Sequence, residues 1–255
     1  MMTKRHATLI ALIWIGVLGP ARADDWRVGV RGGLAVPRLR GGGNEISRGY
    51  ESILAPNVGV LVERDLTPNW SLALEAVYSV QGGERDELQP ITADLPGLPP
   101  LPPGQYLYAD FKSRSELEYL ELPLLAKWRM RVAERWHVAV LAGPYAGFLL
   151  HAEQKTRGTS SIYLDPNRTP LLIGGQPMPA MPFDRDTDVT DELHTFNWGV
   201  TGGIGVLWDV TDRHRLTFEV RGQYGFREVQ KDKANGESNT GAALFLLGYQ
   251  YRFAP

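Results

Sequence analysis

Two histidines lie where a reactive centre could form. His151 ends one alternating segment of the sequence and His194 precedes the next, so the two side chains could meet if these segments pair. A histidine beside a serine or a carboxylate can activate a nucleophile. The alternation, however, places His151 on the polar side and His194 on the apolar side, whereas a catalytic pair needs both on one side within hydrogen-bond reach. We therefore predict that the protein is not an enzyme and has no catalytic residues.

Four aspartates close together in the sequence could bind a cation: Asp184, Asp186, Asp188 and Asp191. Calcium accepts carboxylate oxygens at such spacings, but this stretch lacks the glycine and the terminal glutamate of an EF-hand loop. The absence of cysteine excludes disulfides, thiolate ligands and cysteine nucleophiles. We expect a solvated acidic loop, with no metal site and no cofactor.

Charge and glycine placement argue against nucleic acids and nucleotides as ligands. The formal net charge of -2 gives no electrostatic reason to bind nucleic acid. Gly202, Gly203 and Gly205 lie inside an alternating segment and not between a strand and a helix, so they do not form a phosphate-binding loop.

Charged side chains of both signs recur on the polar face of the alternating segments. Facing lipid in the middle of a membrane, an Arg or Lys would cost about 2–4 kcal/mol. In a membrane barrel these side chains must therefore point inward and pair with each other. We predict a lumen polar network of ten residues: Arg27, Arg31, Glu63, Glu75, Glu121, Lys127, Arg129, Glu219, Arg221 and Arg252.

The elements that must position these residues are eight segments that alternate between apolar and polar residues, the pattern of a half-exposed β-strand. The segments cover 26–35, 57–64, 70–81, 117–130, 136–150, 196–210, 215–226 and 239–253. Three connections are short (65–69, 131–135 and 211–214), and four are longer (36–56, 82–116, 151–195 and 227–238). Short turns at one end and long external loops at the other are typical of outer-membrane barrels. The sequence therefore predicts an all-β fold, an eight-stranded antiparallel up-and-down transmembrane β-barrel.

Aromatic residues favour a membrane barrel over a soluble one. Six tryptophans lie on apolar faces near the ends of the segments: Trp26, Trp70, Trp128, Trp136, Trp198 and Trp208. Indole prefers the bilayer interface, so we predict that all six are interface aromatics. Tyr249, Tyr251 and Phe253 alternate toward the end of the chain, as in outer-membrane barrels, although Ala254 and Pro255 follow them. The predicted location is the outer membrane of a Gram-negative bacterium.

Two alternatives stay open at this point. A soluble, periplasmic lipocalin-like ligand carrier has the same period with its apolar face inside. A narrow channel needs an unusually empty lumen, because side chains fill the interior of an eight-stranded barrel. Our leading hypothesis is a barrel with a structural or binding role. Its partners would be outer-membrane lipid and an extracellular molecule bound by the long loops.

The N-terminus has the form of a signal peptide. A basic stretch at 4–6 and an apolar run over 7–18 precede a small-x-small sequence at 21–23. The apolar run is too short to span a bilayer as a helix. We predict a signal peptide over 1–23 and an outer-membrane barrel domain over 24–255, with an uncleaved anchor as the alternative.

Several motifs resemble the PorT-like outer-membrane β-barrel family: VGVRGGLAV (28–36), YLELPLLAKWRM (119–130), AGPYAGFLL (142–150) and GAALFLLGYQYRF (241–253). The resemblance covers nearly the whole mature chain. It implies a bacterial outer-membrane barrel and provides no catalytic residues to carry over. The chain departs from the family in its loops, above all in LPGLPPLPPG (95–104). The overlapping PxxP spacings of this stretch suit either a stiff loop or recognition by a partner.

Overall fold

The structure is a computed structural model that describes residues 26–41, 45–91, 102, 105–233 and 236–253. The predicted signal peptide, most of the proline-rich stretch, Ala254 and Pro255 lie outside the described residues.

The described residues form thirteen strands and two short 3-10 helices, at Glu45–Ser47 and Thr190–Glu192. The strands are β1 (Trp26–Gly41), β2 (Ala55–Asp65), β3 (Trp70–Ile91), β4 (Leu107–Arg131), β5 (Trp136–Arg157), β6 (Thr159–Ser160), β7 (Leu172–Ile173), β8 (Gln176–Pro177), β9 (Met181–Pro182), β10 (Arg185–Asp188), β11 (Phe196–Asp209), β12 (His214–Gly225) and β13 (Ser238–Arg252). Among the described residues, no helix has the length and apolar character needed to cross a membrane.

Eight of these strands close into one ring. The order of hydrogen-bonded neighbours is β1, β2, β3, β4, β5, β11, β12 and β13, which returns to β1, and every neighbouring pair is antiparallel. The short strands β6 to β10 belong to the connection between β5 and β11. The predicted eight-stranded antiparallel up-and-down barrel is confirmed.

Four strands extend well beyond their predicted ends. β1 continues to Gly41 and pairs with β13 over the added residues, so the first six residues of the loop predicted over 36–56 are strand. β3 continues to Ile91 and pairs with β4 from Leu107, and β5 continues to Arg157, where β10 pairs with its end. The prediction of a loop over 82–116 is therefore wrong for more than half of its length. The alternation disappears there because consecutive polar residues occupy both faces, as in ERDE at 84–87, while backbone hydrogen bonds still hold the strands together.

Apolar side chains cover the outside of the ring, whereas the inside holds the charged and polar residues together with buried leucines and alanines such as Leu125, Leu141 and Leu244. In β2, Val58, Val60 and Val62 are 47%, 56% and 41% exposed, whereas Asn57 and Glu63 on the other face are fully or almost fully buried. A lipocalin-like carrier has the opposite arrangement, with an apolar interior that holds its ligand. The soluble-carrier alternative is therefore wrong.

Threonines stabilise two of the three short turns at one end of the ring. Thr67 Oγ1 accepts a hydrogen bond from the backbone N–H of Trp70, 3.0 Å away, at the start of β3. Thr211 Oγ1 accepts one from the N–H of His214, 3.1 Å away, at the start of β12. Such local bonds stabilise turns by giving the backbone a partner where the sheet ladder ends. We call this end of the barrel the short-turn end and the other the long-loop end.

Candidate functional site

The centre of the lumen contains a buried network of ion pairs. Arg221 donates two parallel hydrogen bonds to the carboxylate of Glu75, each 2.9 Å long, and Arg31 Nη1 lies 2.9 Å from the same carboxylate. Arg221 Nε also donates to Glu219, at 2.8 Å. Paired charge-assisted bonds of this kind are the strongest hydrogen bonds in proteins. One carboxylate on β3 thus ties together β1 and β12, which are distant in the sequence.

A second group continues the network toward the short-turn end. Lys127 Nζ lies 3.2 Å from both Glu63 and Glu219, so it joins the two groups. Arg129 lies 3.2 Å from Glu63 and 2.7 Å from Asp65. Because Glu63 and Glu219 each contact two basic residues, the cost of burying these charges is offset by pairing.

Three charged residues outside the predicted set complete the network: Asp65, Asp209 and Arg215. Arg27 pairs with Asp65, and Arg215 donates to Asp209 through Nε at 2.6 Å and Nη2 at 3.0 Å. Asp65 is outside the predicted set because the predicted segment ends at 64 and the short connection begins at 65. The alternation that places Glu63 inside reaches Asp65 two positions later, so a longer strand would have included it.

Nine of the ten residues predicted to line the lumen are buried in the structure, with at most 7% of each exposed. The tenth, Arg252, is half-buried at the end of β13, opposite Arg27 in the strand register. Glu121 is buried but stands apart, because it has no ion pair in the part of the chain that the structure describes. Its carboxylate accepts hydrogen bonds from Gln223 at 2.7 Å and Gln81 at 3.2 Å.

An apolar cluster fills the lumen at the long-loop end, and we call it the mouth cluster. Its buried members come from β1, β4, β5 and three of the long loops: Leu39, Tyr50, Leu117, Tyr119, Leu149, Ala152, Leu193 and Val229. β1 and β5 stand on opposite sides of the eight-stranded ring, so the cluster reaches from wall to wall. Arg85 holds the first long loop in place, because its Nη1 donates to three backbone carbonyls within 45–48.

Aromatic side chains lie on the outer face at both ends, around most of the short-turn end and along β5, β11 and β12 at the long-loop end. Five of the predicted interface tryptophans lie at the short-turn end: Trp26, Trp70, Trp128, Trp136 and Trp208. There Trp136 stacks on Trp208 with ring centroids 5.5 Å apart. Trp198 lies at the long-loop end and packs edge-on against Phe226 at 5.0 Å. Further outward-facing aromatics at this end are Phe148, Phe196 and Tyr224. Two aromatic belts that flank an apolar band are typical of a barrel that crosses a bilayer.

Comparison with protein families decides the class of barrel. The family model described as "Outer membrane protein beta-barrel domain" matches residues 21–230 of the chain. The chain belongs to this family. It is therefore a β-barrel of the outer membrane of a Gram-negative bacterium. Barrels of this class have short turns in the periplasm and long loops outside the cell, and we name the two ends accordingly. The predicted location is confirmed.

Solved outer-membrane barrels resemble the chain with low sequence identity. Ail, the attachment invasion locus protein of Yersinia pestis, is 10% identical, with 89% of this chain and 99% of Ail covered and a TM-score of 0.38. Neisserial surface protein A is 12% identical, with 90% and 97% covered and a TM-score of 0.42. OprG from Pseudomonas aeruginosa is 11% identical, with 91% and 98% covered and a TM-score of 0.38. No curated protein sequence matches the chain.

On the extracellular side, this outer-membrane barrel continues into a small sheet beyond its wall. The outer parts of β3, β4 and β5 pair with each other and with β10, and we call this sheet, with the β6–β9 segment, the platform. A second apolar cluster supports it, built around the buried residues Ile91, Leu107, Ala109 and Ile162, with Phe111 stacked on Phe183 at 4.7 Å. This cluster is separate from the mouth cluster.

The platform is also tied to the first long loop. The hydroxyl of Tyr108 on β4 donates to the carboxylate of Glu45. Burial and this carboxylate raise the pKa of Tyr108 to about 12, so the hydroxyl keeps its proton at neutral pH. The loop over the mouth and the platform therefore hold each other in position.

A β-bulge changes the position predicted for His151. Tyr119 pairs with Leu149 and Glu118 with His151, so Leu150 is an extra residue in β5. Because a bulge shifts the alternation by one position, His151 is not on the inward side, and the prediction of its side was wrong. Its imidazole is 45% exposed on the outer face at the extracellular rim.

The two histidines have different partners. His151 Nδ1 lies 3.4 Å from Thr190 Oγ1 and 3.8 Å from Asp188, and Thr190 Oγ1 also accepts the backbone N–H of Ala152 at 2.9 Å. His194 Nδ1 lies 3.0 Å from Arg227 Nη2. Thr190 is thus occupied with holding the loop backbone, and His194 faces a cation.

The four aspartates of the third long loop do not converge on one point. Asp184 accepts the backbone N–H of Gly158 at 3.0 Å, Asp186 pairs with Arg157 at 2.6 Å, and Asp188 accepts the N–H of the residue two positions later at 2.9 Å. Within the described ranges, no group of three or more histidines or acidic residues is placed to hold a metal ion.

Proposed function

We propose that the protein is a closed outer-membrane barrel with a structural and binding role, an anchor that presents its platform to a partner outside the cell. The observation that carries this proposal is that the lumen is filled at two levels. One is the central ion-pair network, and the other is the mouth cluster at the extracellular end.

The burial of the network argues against a channel. Lys127 and Glu75 are each 1% exposed, so solvent has almost no contact with side chains in the middle of the lumen. Their neighbours occupy the remaining space, as expected for an eight-stranded barrel. The mouth cluster adds an apolar constriction, which resists wetting. An ion entering from either side would have to break buried ion pairs or cross this apolar layer.

The platform is the part of the barrel best placed to meet a partner. Its β7–β8 hairpin exposes Leu172 and Ile173, which are 55% and 52% exposed, at a tip formed by Gly174 and Gly175 with positive φ angles. Nearby Leu164 is 48% exposed. Exposed apolar residues on a supported loop are typical of binding surfaces.

We propose a non-enzymatic role because neither histidine forms a plausible catalytic pair. A nucleophile needs a base within hydrogen-bond reach and oriented by a third group. The hydroxyl nearest His151 is bound to the backbone of Ala152, and the nearest side chain to His194 is the guanidinium of Arg227.

We also propose two finer assignments that the sequence motifs support. The segments over 28–36, 119–130, 142–150 and 241–253 favour a PorT-like member of the wider family. The basic, apolar and small-x-small order over 1–23 favours a cleaved signal peptide. N-terminal sequencing of the protein from outer membranes should start at Asp24.

Conductance tests the closed lumen. Purified barrel reconstituted into a planar bilayer is expected to give no unitary conductance steps, because ion pairs and the mouth cluster block the lumen. A general porin inserted into the same bilayer serves as the positive control. Regular conductance steps from well-folded protein would contradict the closed barrel and restore the narrow-channel hypothesis.

Cysteine labelling tests the display of the platform. The sequence contains no cysteine, so a single introduced cysteine gives an unambiguous signal. Ile173→Cys in the platform should react with a membrane-impermeant maleimide on intact cells. Asp212→Cys, in an exposed short turn, should react only after the outer membrane is opened. The reverse pattern would show that the long loops face the periplasm.

A further inference from the structure

The lipid-facing wall of the barrel contains a groove of about 890 Å³. It crosses β5, β11, β12 and β13 in the half of the wall nearer the long loops, and it is lined mainly by apolar atoms of residues on the outer face. Ligand pockets commonly have volumes of roughly 300–1,000 Å³, so the groove is large enough to hold a specific molecule.

Strand register explains the depth of the groove. Its floor is one row of small residues that are direct partners across four strands, namely Ala142, Gly202, Gly222 and Ala243. The next row toward the short-turn end is bulky, with Val140, Ile204, Val220 and Phe245 paired in the same way. On the other side stand Pro144, Val200 and Tyr224. A row of small residues between two rows of large ones leaves a depression in the apolar wall. We call this depression, with Ala142, Gly202, Gly222 and Ala243 as its floor, the trough of the groove.

An arginine lies at the extracellular end of this trough. Arg40 is exposed on the outer face of β1, lines the groove, and extends its side chain over Gly241 of β13. Among the described residues it has no acidic partner. A guanidinium at the level where the apolar wall ends is suited to bind a phosphate, which it can contact through two hydrogen bonds.

We propose that this groove is a binding site for one phosphate-bearing lipid of the outer leaflet, with an acyl chain in the trough and the phosphate at Arg40. Two observations select this occupant. The trough is apolar and opens directly to the hydrocarbon of the bilayer, where an acyl chain is the available ligand. The charge at its outer end complements an anionic headgroup. Outer-membrane lipid thus becomes a partner with a defined site, independently of whether the platform binds a partner.

Native mass spectrometry of the full-length mature barrel tests the site. The probes are bisphosphorylated lipid A and the same lipid without its phosphates, each added to protein in detergent. The fraction of wild-type barrel that carries one bound lipid gives the affinity. We expect the affinity for the phosphorylated lipid to be about tenfold higher than for the dephosphorylated lipid, which corresponds to one charge-assisted contact. Arg40→Gln should abolish that preference and leave the weaker retention of the dephosphorylated lipid unchanged.

Filling the trough gives a second, independent test. A Cβ at Gly222 would meet no atom within 4 Å, so Gly222→Leu fills the trough without disturbing the wall, and retention of both lipids should fall about tenfold. The matched control is Gly32→Leu, on the lipid face of β1 outside the groove, where a Cβ meets only Val58 at 3.6 Å. Heat-modifiability on a detergent gel verifies that both variants fold.

Three results would overturn the proposal. The first is equal lipid retention by wild type and Gly222→Leu, and the second is an equal loss in Gly222→Leu and Gly32→Leu. The third is a dimer of the barrel that Gly222→Leu dissociates, which would assign the groove to a second copy of the chain.

Discussion

Glu75→Gln is expected to lower the free energy of unfolding by about 3–5 kcal/mol, the cost of breaking a buried ion pair by removing one partner. The carboxylate of Glu75 accepts two hydrogen bonds from Arg221 and lies beside Arg31, and it is almost completely buried. A neutral amide of the same shape leaves Arg31 without a carboxylate and Arg221 with Glu219 alone among the described residues, in a lumen that water scarcely enters. Urea-induced unfolding of the barrel in lipid vesicles, followed by tryptophan fluorescence, measures the change.

Glu84→Gln provides the matched control for this substitution. Glu84 also lies on β3 and pairs with Lys112 at 3.2 Å, but this pair is partly exposed on the platform. Because exposed ion pairs contribute roughly 0–1 kcal/mol, the loss of stability should stay below about 1 kcal/mol. Equal effects of the two substitutions would show that the central network is hydrated and contributes no more than a surface pair.

Ile204→Arg is expected to destabilise the folded barrel by about 2–4 kcal/mol, the cost of an arginine that faces lipid near the bilayer midplane. Ile204 is 61% exposed on the outer face of β11, about midway between Trp198 and Trp208 of the two aromatic belts. Unfolding in vesicles of defined thickness measures the effect, and thinner bilayers should reduce it because the arginine reaches the interface more easily.

The same change at an exposed apolar residue outside the membrane should cost little. Leu172, on the platform hairpin, is 55% exposed, close to the exposure of Ile204. Leu172→Arg should therefore change the stability by less than about 0.5 kcal/mol, as for most surface substitutions. A barrel that tolerates Ile204→Arg equally well would have its apolar wall in water or against protein, not against lipid.

The sequence alone predicts the barrel wall well, because alternation states which side chains share a face. Alternation alone assigns ten residues to the lumen network, and nine of them are buried in the structure. Alternation cannot show which charges meet, since Glu75 and Arg221 are 146 positions apart in the chain. It also loses one position at the bulge near Leu150, and this is why His151 was placed on the wrong side.

Features built from loops and from strand register were beyond sequence reasoning. The mouth cluster brings Tyr50, Leu193 and Val229 together from three loops, and nothing in their local sequence signals a shared core. The groove in the lipid-facing wall depends on the register that places Gly202 opposite both Ala142 and Gly222. A period-two pattern does not specify this register. The platform strands cannot be recognised in the sequence because backbone pairing, and not apolar alternation, maintains them.

The separation of the two apolar clusters has a consequence for how this protein can evolve. The mouth cluster and the platform cluster share no residue, and the bond from Tyr108 to Glu45 that joins the platform to the first long loop lies outside the β6–β9 segment, so a change in that segment leaves the packing of the mouth cluster intact. Insertions and substitutions in the β6–β9 segment can therefore accumulate without lowering the folding yield of the barrel, since surface loops tolerate such changes far better than a shared core. The sequences of related barrels should then diverge fastest between Thr159 and Phe183, whereas the positions of the mouth cluster should stay apolar.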